Sequence, residues 1–131
     1  MANPNTPTGP IALLPCNGLS ARGQVATMAV DQLAGAMDEA RCVNIVPLLA
    51  GVDEEVAALR GARAVISVAG CSHRCDLKVC KKVLGRDPDD ALVVGDLLRA
   101  DVIERCESTE EEIQQCVLEV SSRLVGILGN F

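Results

Sequence analysis

The sequence has few aromatic residues: among its 131 residues there is no tryptophan, no tyrosine and one phenylalanine. Because 49% of the residues are nevertheless apolar, the core has to be built from Ala, Val, Leu and Ile. The scarcity of rings argues against nucleic-acid recognition by base stacking. A net charge of −6 also opposes attraction to a phosphate backbone, so we expect no nucleic-acid partner.

The sequence also lacks a long hydrophobic run, since no apolar stretch approaches the roughly 20 residues that cross a bilayer. The first ten residues, MANPNTPTGP, contain neither the basic nor the apolar region of a signal peptide. Their prolines and asparagines predict a disordered lead-in over residues 1–10. We therefore expect a cytoplasmic protein with no membrane partner, in which residues 11–131 form a single domain.

Cysteine is abundant by comparison, and the seven cysteines occupy positions 16, 42, 71, 75, 80, 106 and 116. In a reducing cytoplasm such residues stay as thiols, and an odd number argues further against a framework of disulfides. Metal binding or thiol chemistry is therefore favoured for some of them.

Short apolar runs alternate with helical patterns along the chain. Strands are predicted at 11–15, 42–46, 64–68 and 91–95, and helices from Ser20, over 53–61 and 72–84, and after Ser108 and Thr109. Residues 96–107 favour neither state. This alternation predicts an α/β protein, a three-layer α/β/α domain with a mostly parallel sheet of four or five strands, Rossmann-like or flavodoxin-like.

Three cysteines fall where such a fold places its ligands. Cys16 follows the first predicted strand, Cys71 follows the third, and Cys75 comes one helical turn after Cys71. Ligands of parallel α/β sheets bind beyond the carboxyl ends of the strands, so the three thiols converge if these two strands are neighbours. Thiolates at a common centre suit Zn²⁺ or another thiophilic metal.

A closed structural zinc site needs a fourth ligand. Cys80 is the nearest remaining thiol in the sequence, and we include it in the predicted site, although it shares a helical face with Val83 and Leu84 that indicates the core. His73 lies between Cys71 and Cys75, where a metal ligand and an outward-pointing side chain are equally compatible with the spacing.

The other cysteines are predicted to lie away from the site. Cys116 falls on the apolar stripe of the last helix, and Cys42 opens the second predicted strand at the end opposite the site, so we assign both to the core. Cys106 has no clear place. A basic run of Arg74, Lys78, Lys81, Lys82 and Arg86 predicts a solvated helix face that could also favour nearby thiolates.

A competing pattern begins at the same cysteine. CNGLSAR is C-x5-R from Cys16 to Arg22, and it resembles the phosphate-binding loop of low-molecular-weight tyrosine phosphatases and arsenate reductases, with DPDD at 87–90 as candidate acids. Gly23 departs from this pattern, because those enzymes have Ser or Thr there. A third hypothesis is a thiol redox switch that pairs Cys71 with Cys75.

Two motifs together, PCNGLSARGQVA (15–26) and VAGCSHRC (68–75), resemble the DGC-domain family, whose members are proposed to bind zinc. The resemblance covers roughly residues 11–95 and implies a zinc site formed by Cys16, Cys71 and Cys75. In two respects the chain differs from the family: Ala69 replaces the aspartate of the family's D-G-C, and residues 44–51 lack the cysteine expected near the end of strand two.

The resemblance leaves the fourth position to Cys80, His73, Cys42, water or a substrate. An open position would make the site reactive, and an iron–sulfur cluster is the less favoured occupant. We therefore expect a small metal-binding protein with a role in metal or sulfur handling. A protein partner or a homo-oligomer is compatible with the sequence.

Overall fold

The computed structural model describes residues 9–15, 21–69, 75–94 and 110–131, and it describes residues 21, 22, 75 and 76 without their side chains. Its strands and helices succeed one another along the chain in this order: β1 Ile11–Pro15, α1 Ala21–Ala36, β2 Ala40–Cys42, α2 Ile45–Leu49, α3 Asp53–Arg60, β3 Val65–Ala69, α4 Cys75–Leu84, β4 Asp90–Val93 and α5 Glu110–Leu128.

The strands form one parallel sheet in the order β2-β1-β3-β4. The order begins as in flavodoxin-like proteins, where the chain builds outwards from β1 first on one side and then on the other. The topological switch point therefore lies between β1 and β3. These two central strands pair from Ala12 opposite Val65 to Pro15 opposite Val68.

Helices cover both faces of the sheet, which confirms the predicted three-layer α/β fold. Ile11 and Leu13 of β1 point to one face, where they pack with apolar residues of α1 and α5. Ala12 and Leu14 point to the other face, among residues of α2, α3 and α4. Every residue of β1 and β3 is buried, as expected for central strands covered on both sides.

Most of the element boundaries lie close to the predicted ones. The first strand spans the predicted residues 11–15, and the helix over 53–61 is present as α3. Gly85 directly follows α4 with a φ of +73°, a left-handed conformation that a glycine adopts without steric cost. Glu110–Glu112 fill the first turn of α5, while Ser108, Thr109 and residues 96–107 lie outside the described residues.

The second strand is the main correction. The sequence predicts a strand over residues 42–46, but β2 covers only Ala40–Cys42, and Ile45 already begins α2. Asn44 is the residue before this helix, with an extended backbone, and Pro47 is the third helical residue. Proline fits the first turn because its missing N–H has no partner to make there. Cys42 therefore ends a strand instead of opening one.

At the amino edge of the sheet the backbone is tied closely together. Gly9, inside the predicted lead-in of residues 1–10, makes a parallel bridge to Ala62, and its N–H donates to the Gly61 carbonyl at 3.1 Å. A Cβ on Gly9 would lie 2.6 Å from that carbonyl oxygen, so only glycine fits. Residues 1–8 lie outside the described ranges.

Among the helices that are described, none combines the length and apolarity that spanning a membrane requires.

Candidate metal centre

The predicted site residues are described to different extents. Cys75 is the first residue of α4, and Cys80 is well inside the same helix. Cys16, Cys71 and His73 lie outside the described residues, as does Cys106. The structure therefore describes the elements on which the predicted site would be built, while the convergence of the thiols stays a prediction.

The sequence predicts that Cys16, Cys71 and Cys75 converge if β1 and β3 are neighbours. That condition is met, because β1 and β3 are adjacent and parallel. Both strands reach the carboxyl edge of the sheet at nearly the same level, with Pro15 opposite Val68. Cys16 is the next residue of the chain after Pro15, and Cys71 follows Ala69 with only Gly70 between them. The two strands that precede these cysteines thus end side by side at the topological switch point of the sheet.

Cys80 belongs to the core, as its shared face with Val83 and Leu84 indicates. It is fully buried and packs in the cluster that contains Leu14 and Val65. It comes five positions after Cys75 in the same helix, which corresponds to about 7.5 Å along the axis and roughly 140° around it. Its role as a metal ligand stays a prediction that this position does not favour.

Cys116 is also a core residue, as predicted. It is fully buried on the opposite face of the sheet, on the stripe of α5 that packs against α1. The neighbours Val117 and Val120 are equally inaccessible to solvent. The predicted helical stripe therefore locates this cysteine correctly.

The predicted position of Cys42 in the sheet is wrong. The sequence predicts it at the end of a strand opposite the site, but it is the last residue of β2 and so lies toward the carboxyl edge. It pairs in register with Leu13, two residues before the end of β1, which places it about 7 Å below that end. The signal that could have located it is Asn44 followed by Pro47, which marks the start of a helix.

The surroundings of Cys42 hold its thiol protonated. Its Sγ donates to Oδ1 of Asn44 at 3.7 Å, and the Asn44 N–H donates in turn to Glu55 at 3.2 Å. Burial, followed by the negative charge and hydrogen bond of Asp31 and then the charge of Glu55, raises the pKa of Cys42 to about 12. A thiol in this setting is a poor nucleophile at neutral pH.

The basic residues of α4 face solvent. Lys78, Lys81 and Lys82 are exposed, and Arg86 forms an ion pair with Asp89 at 3.4 Å. These positions agree with the predicted solvated face. Arg74 lies outside the described residues.

The candidate acids of the phosphatase-like hypothesis lie at the wrong edge of the sheet. Asp90 is the first residue of β4, and Asp89 accepts a hydrogen bond at 2.7 Å from the N–H of Val65, the first residue of β3. Both are therefore at the amino edge, a full strand length from the end of β1. The proposed use of residues 87–90 as acids for a nucleophilic Cys16 is wrong.

In the described residues, 9–15, 21–69, 75–94 and 110–131, no three His, Cys, Asp or Glu side chains lie together as a metal site would require.

Residues 12–120 match the sequence profile of the DGC domain. The chain belongs to the DGC domain family. No curated protein and no solved structure matched it.

Within the DGC family, the structure changes the meaning of the two departures seen in the sequence. Ala69 is the last residue of β3 and is 1% exposed, so an aspartate at this position would bring a carboxylate to a closed strand end. β2 ends at Cys42 and not at residue 46, so this chain does carry a cysteine at the end of its second strand.

Proposed function

We propose that this DGC-domain protein is a cytoplasmic metal-binding protein that holds one zinc ion, or another thiophilic metal, through Cys16, Cys71 and Cys75. The observation that supports the proposal most strongly is the parallel pairing of β1 with β3 at the switch point of the sheet. The segments that come after these two strands in the chain supply all three cysteines.

The donor set suits such a metal. Three thiolates within two short segments match the preference of zinc for sulfur ligands, and they exclude a site designed for hard, oxygen-bound cations. Cys75 is the first residue of α4, the end of a helix at which negative charge is favoured, and a metal binds its cysteine ligands as thiolates.

The fourth position is best left to a non-cysteine ligand. Cys80 is buried in the core and lies about 140° around α4 from Cys75. Cys42 pairs in register with Leu13, about 7 Å below the end of β1. We propose that water, a substrate or His73 completes the shell, so that the site has an open or exchangeable position.

An exchangeable position agrees with a role in metal or sulfur handling. When bound, the metal would supply a Lewis acid and a point of attachment for a fourth, sulfur-bearing or oxygen-bearing ligand. The chain's own part is to hold the metal at the edge of the sheet, beyond Leu14 and Val68, which are fully buried on opposite faces of the sheet. Exchange of the fourth ligand would therefore proceed from the solvent side.

The test is elemental analysis of protein purified under reducing conditions. We expect close to one metal ion per chain in the wild type and in Cys116→Ala, a matched variant that removes a core thiol from the other face. In Cys71→Ser we expect metal affinity to fall by at least tenfold, or the metal to be lost. Metal-free wild-type protein, or equal loss in both variants, would overturn the proposal.

One observation favours the cysteine-enzyme alternative. Helix α1 begins at Ala21, so the backbone of Arg22 lies in a first helical turn directly after the segment that starts at Cys16, as in a phosphate-binding C-x5-R loop. The acids of residues 87–90 cannot assist there, since they lie at the amino edge. Turnover of an aryl phosphate or thiol-dependent arsenate reduction by metal-free protein, abolished in Cys16→Ser, would establish this alternative instead.

A further inference from the structure

We propose that a second copy of this chain docks antiparallel on α5, across a two-fold axis that passes next to Ser122. The exposed face of the helix carries two large apolar side chains that nothing in the described chain covers. Leu118 is 64% exposed and Val125 is 49% exposed. With 100° per residue, Leu118, Ser122 and Val125 fall within an arc of roughly 60°, centred about 140° around the helix from the buried stripe that packs on α1.

The spacing of these residues makes the stripe complementary to itself. In an antiparallel pair centred between positions 121 and 122, each Leu118 lies level with the Val125 of the other copy, so one symmetric contact covers all four side chains. The centre carries the small residues Ser121 and Ser122, and Gly126 has open space around it, so the two helices can approach closely.

The charges beside the stripe agree with the same orientation. Glu119 and Arg123 form an ion pair within the helix at 3.9 Å, with side chains 24% and 56% exposed. About the same axis, each Arg123 lies next to the Glu119 of the other copy, so that opposite charges meet twice. In a parallel two-fold pair the Glu119 and Arg123 side chains of the two copies would lie on opposite flanks of the contact, so this attraction would be lost.

A buried hydroxyl group without a partner lies at the level of the proposed two-fold axis. Within the described part of the chain, Oγ of Ser121 is the buried side-chain polar atom without a hydrogen-bond partner. Ser121 as a residue is partly exposed, so a change of its χ1 rotamer turns the hydroxyl to the surface. There the Ser122 hydroxyl of the second copy lies at the same level and can pair with it.

The expected dimer is weak. A contact of one helix on one helix buries less than the roughly 800 Å² per partner of a standard interface. The last turn of α5 has no basic residue to meet the acidic first turn of the other copy, so the ends add no attraction. We therefore expect reversible dimerisation in the micromolar range or weaker.

Position-specific cross-linking tests the axis. After mild oxidation of concentrated protein, Ser122→Cys should yield a dimer linked at the substituted position, beyond the wild-type background, because the two copies of residue 122 meet near the axis. Gln114→Cys is the matched control on the same exposed face. In the proposed arrangement its two copies are about 22 Å apart and give no linked dimer.

Sedimentation over a range of concentrations tests the apolar contact. Leu118→Ser should weaken dimerisation by at least tenfold, whereas Leu49→Ser, which changes a 52% exposed leucine on α2, should leave it unchanged. Three results would overturn the proposal: a wild-type protein that stays monomeric throughout, linked dimers from both cysteine variants, which indicate a parallel pair, or a linked dimer from neither.

Discussion

The two edges of the sheet differ in how the chain enters and leaves the strands. At the amino edge the chain is fastened by short backbone and side-chain contacts: Gly9 bridges to Ala62, and the Asp89 carboxylate accepts from the Val65 N–H. At the carboxyl edge the central strands β1 and β3 lead into segments with Cys16 and Cys71. The amino edge therefore secures the register of the sheet, and the carboxyl edge is where the proposed metal ligands follow the central strands.

The largest effect on stability is expected at the amino edge. Asp89→Ala removes the acceptor of the Val65 N–H at 2.7 Å and the partner of Arg86, and it leaves a partly buried donor without its bond. Because the Asp89 side chain is one-third exposed, we expect a loss of about 1–2 kcal/mol in the free energy of unfolding, measured by urea denaturation.

Asp87→Ala is the matched control for this change. Its carbonyl, which accepts from Arg86 at 2.9 Å, is retained, so we expect a change within about 0.5 kcal/mol. Metal content should be the same in both variants if the two edges have separate roles. Loss of metal in Asp89→Ala, at a temperature where the protein is folded, would contradict that separation.

A smaller effect is expected on the rate at which Cys42 is alkylated. This cysteine is at the end of the edge strand β2, whereas Cys16 and Cys71 follow the central strands. Since its pKa is raised from 9.0 to about 12, its thiolate is scarce at pH 8, and we expect its alkylation by iodoacetamide to be at least tenfold slower than in unfolded protein. Mass spectrometry of the labelled peptides measures this rate.

Asp31→Asn should speed the labelling of Cys42, because it removes a charge and a hydrogen bond that raise the pKa. Asp38→Asn, an exposed change just beyond α1, should not. The same shift makes a stability contribution that is complete below pH 9 and is lost as the pH rises toward 12, since only the unfolded chain deprotonates easily in that window. Labelling of Cys42 at the unfolded rate would refute this description.

The sequence predicts well where the apolar pattern is unambiguous. IALLP is a strand flanked by turn-forming residues, and the stripe of α5 places Cys116 in the core, as the structure confirms. CVNIV fails because a short apolar run fits a buried strand or the start of a helix equally, and Asn44 and Pro47 decide for the helix. That error of a few residues moved Cys42 from one edge of the sheet to the other.

The local sequence pattern does not predict which strands pair with each other. Alternating strands and helices indicate a parallel sheet, but several strand orders satisfy the same pattern, and only the structure shows that β1 lies between β2 and β3. The DPDD segment is an example of an error that follows. Its acids fit a catalytic loop in sequence, yet the register of β3 with β4 places them at the amino edge. For Cys80, in contrast, the helical face with Val83 and Leu84 already indicated the core.

Substitution with cobalt(II) tests the central claim most directly, because thiolate-to-cobalt charge transfer absorbs in a region where a chain without Trp or Tyr is nearly transparent. The intensity of that band reports the number of thiolate ligands. We predict the band in wild-type protein, a reduced or absent band in Cys16→Ser, Cys71→Ser and Cys75→Ser, and an unchanged band in Cys80→Ala and Cys116→Ala. A wild-type protein without the band, or a band that disappears only when Cys80 or Cys116 is replaced, would contradict a metal centre at the ends of β1 and β3.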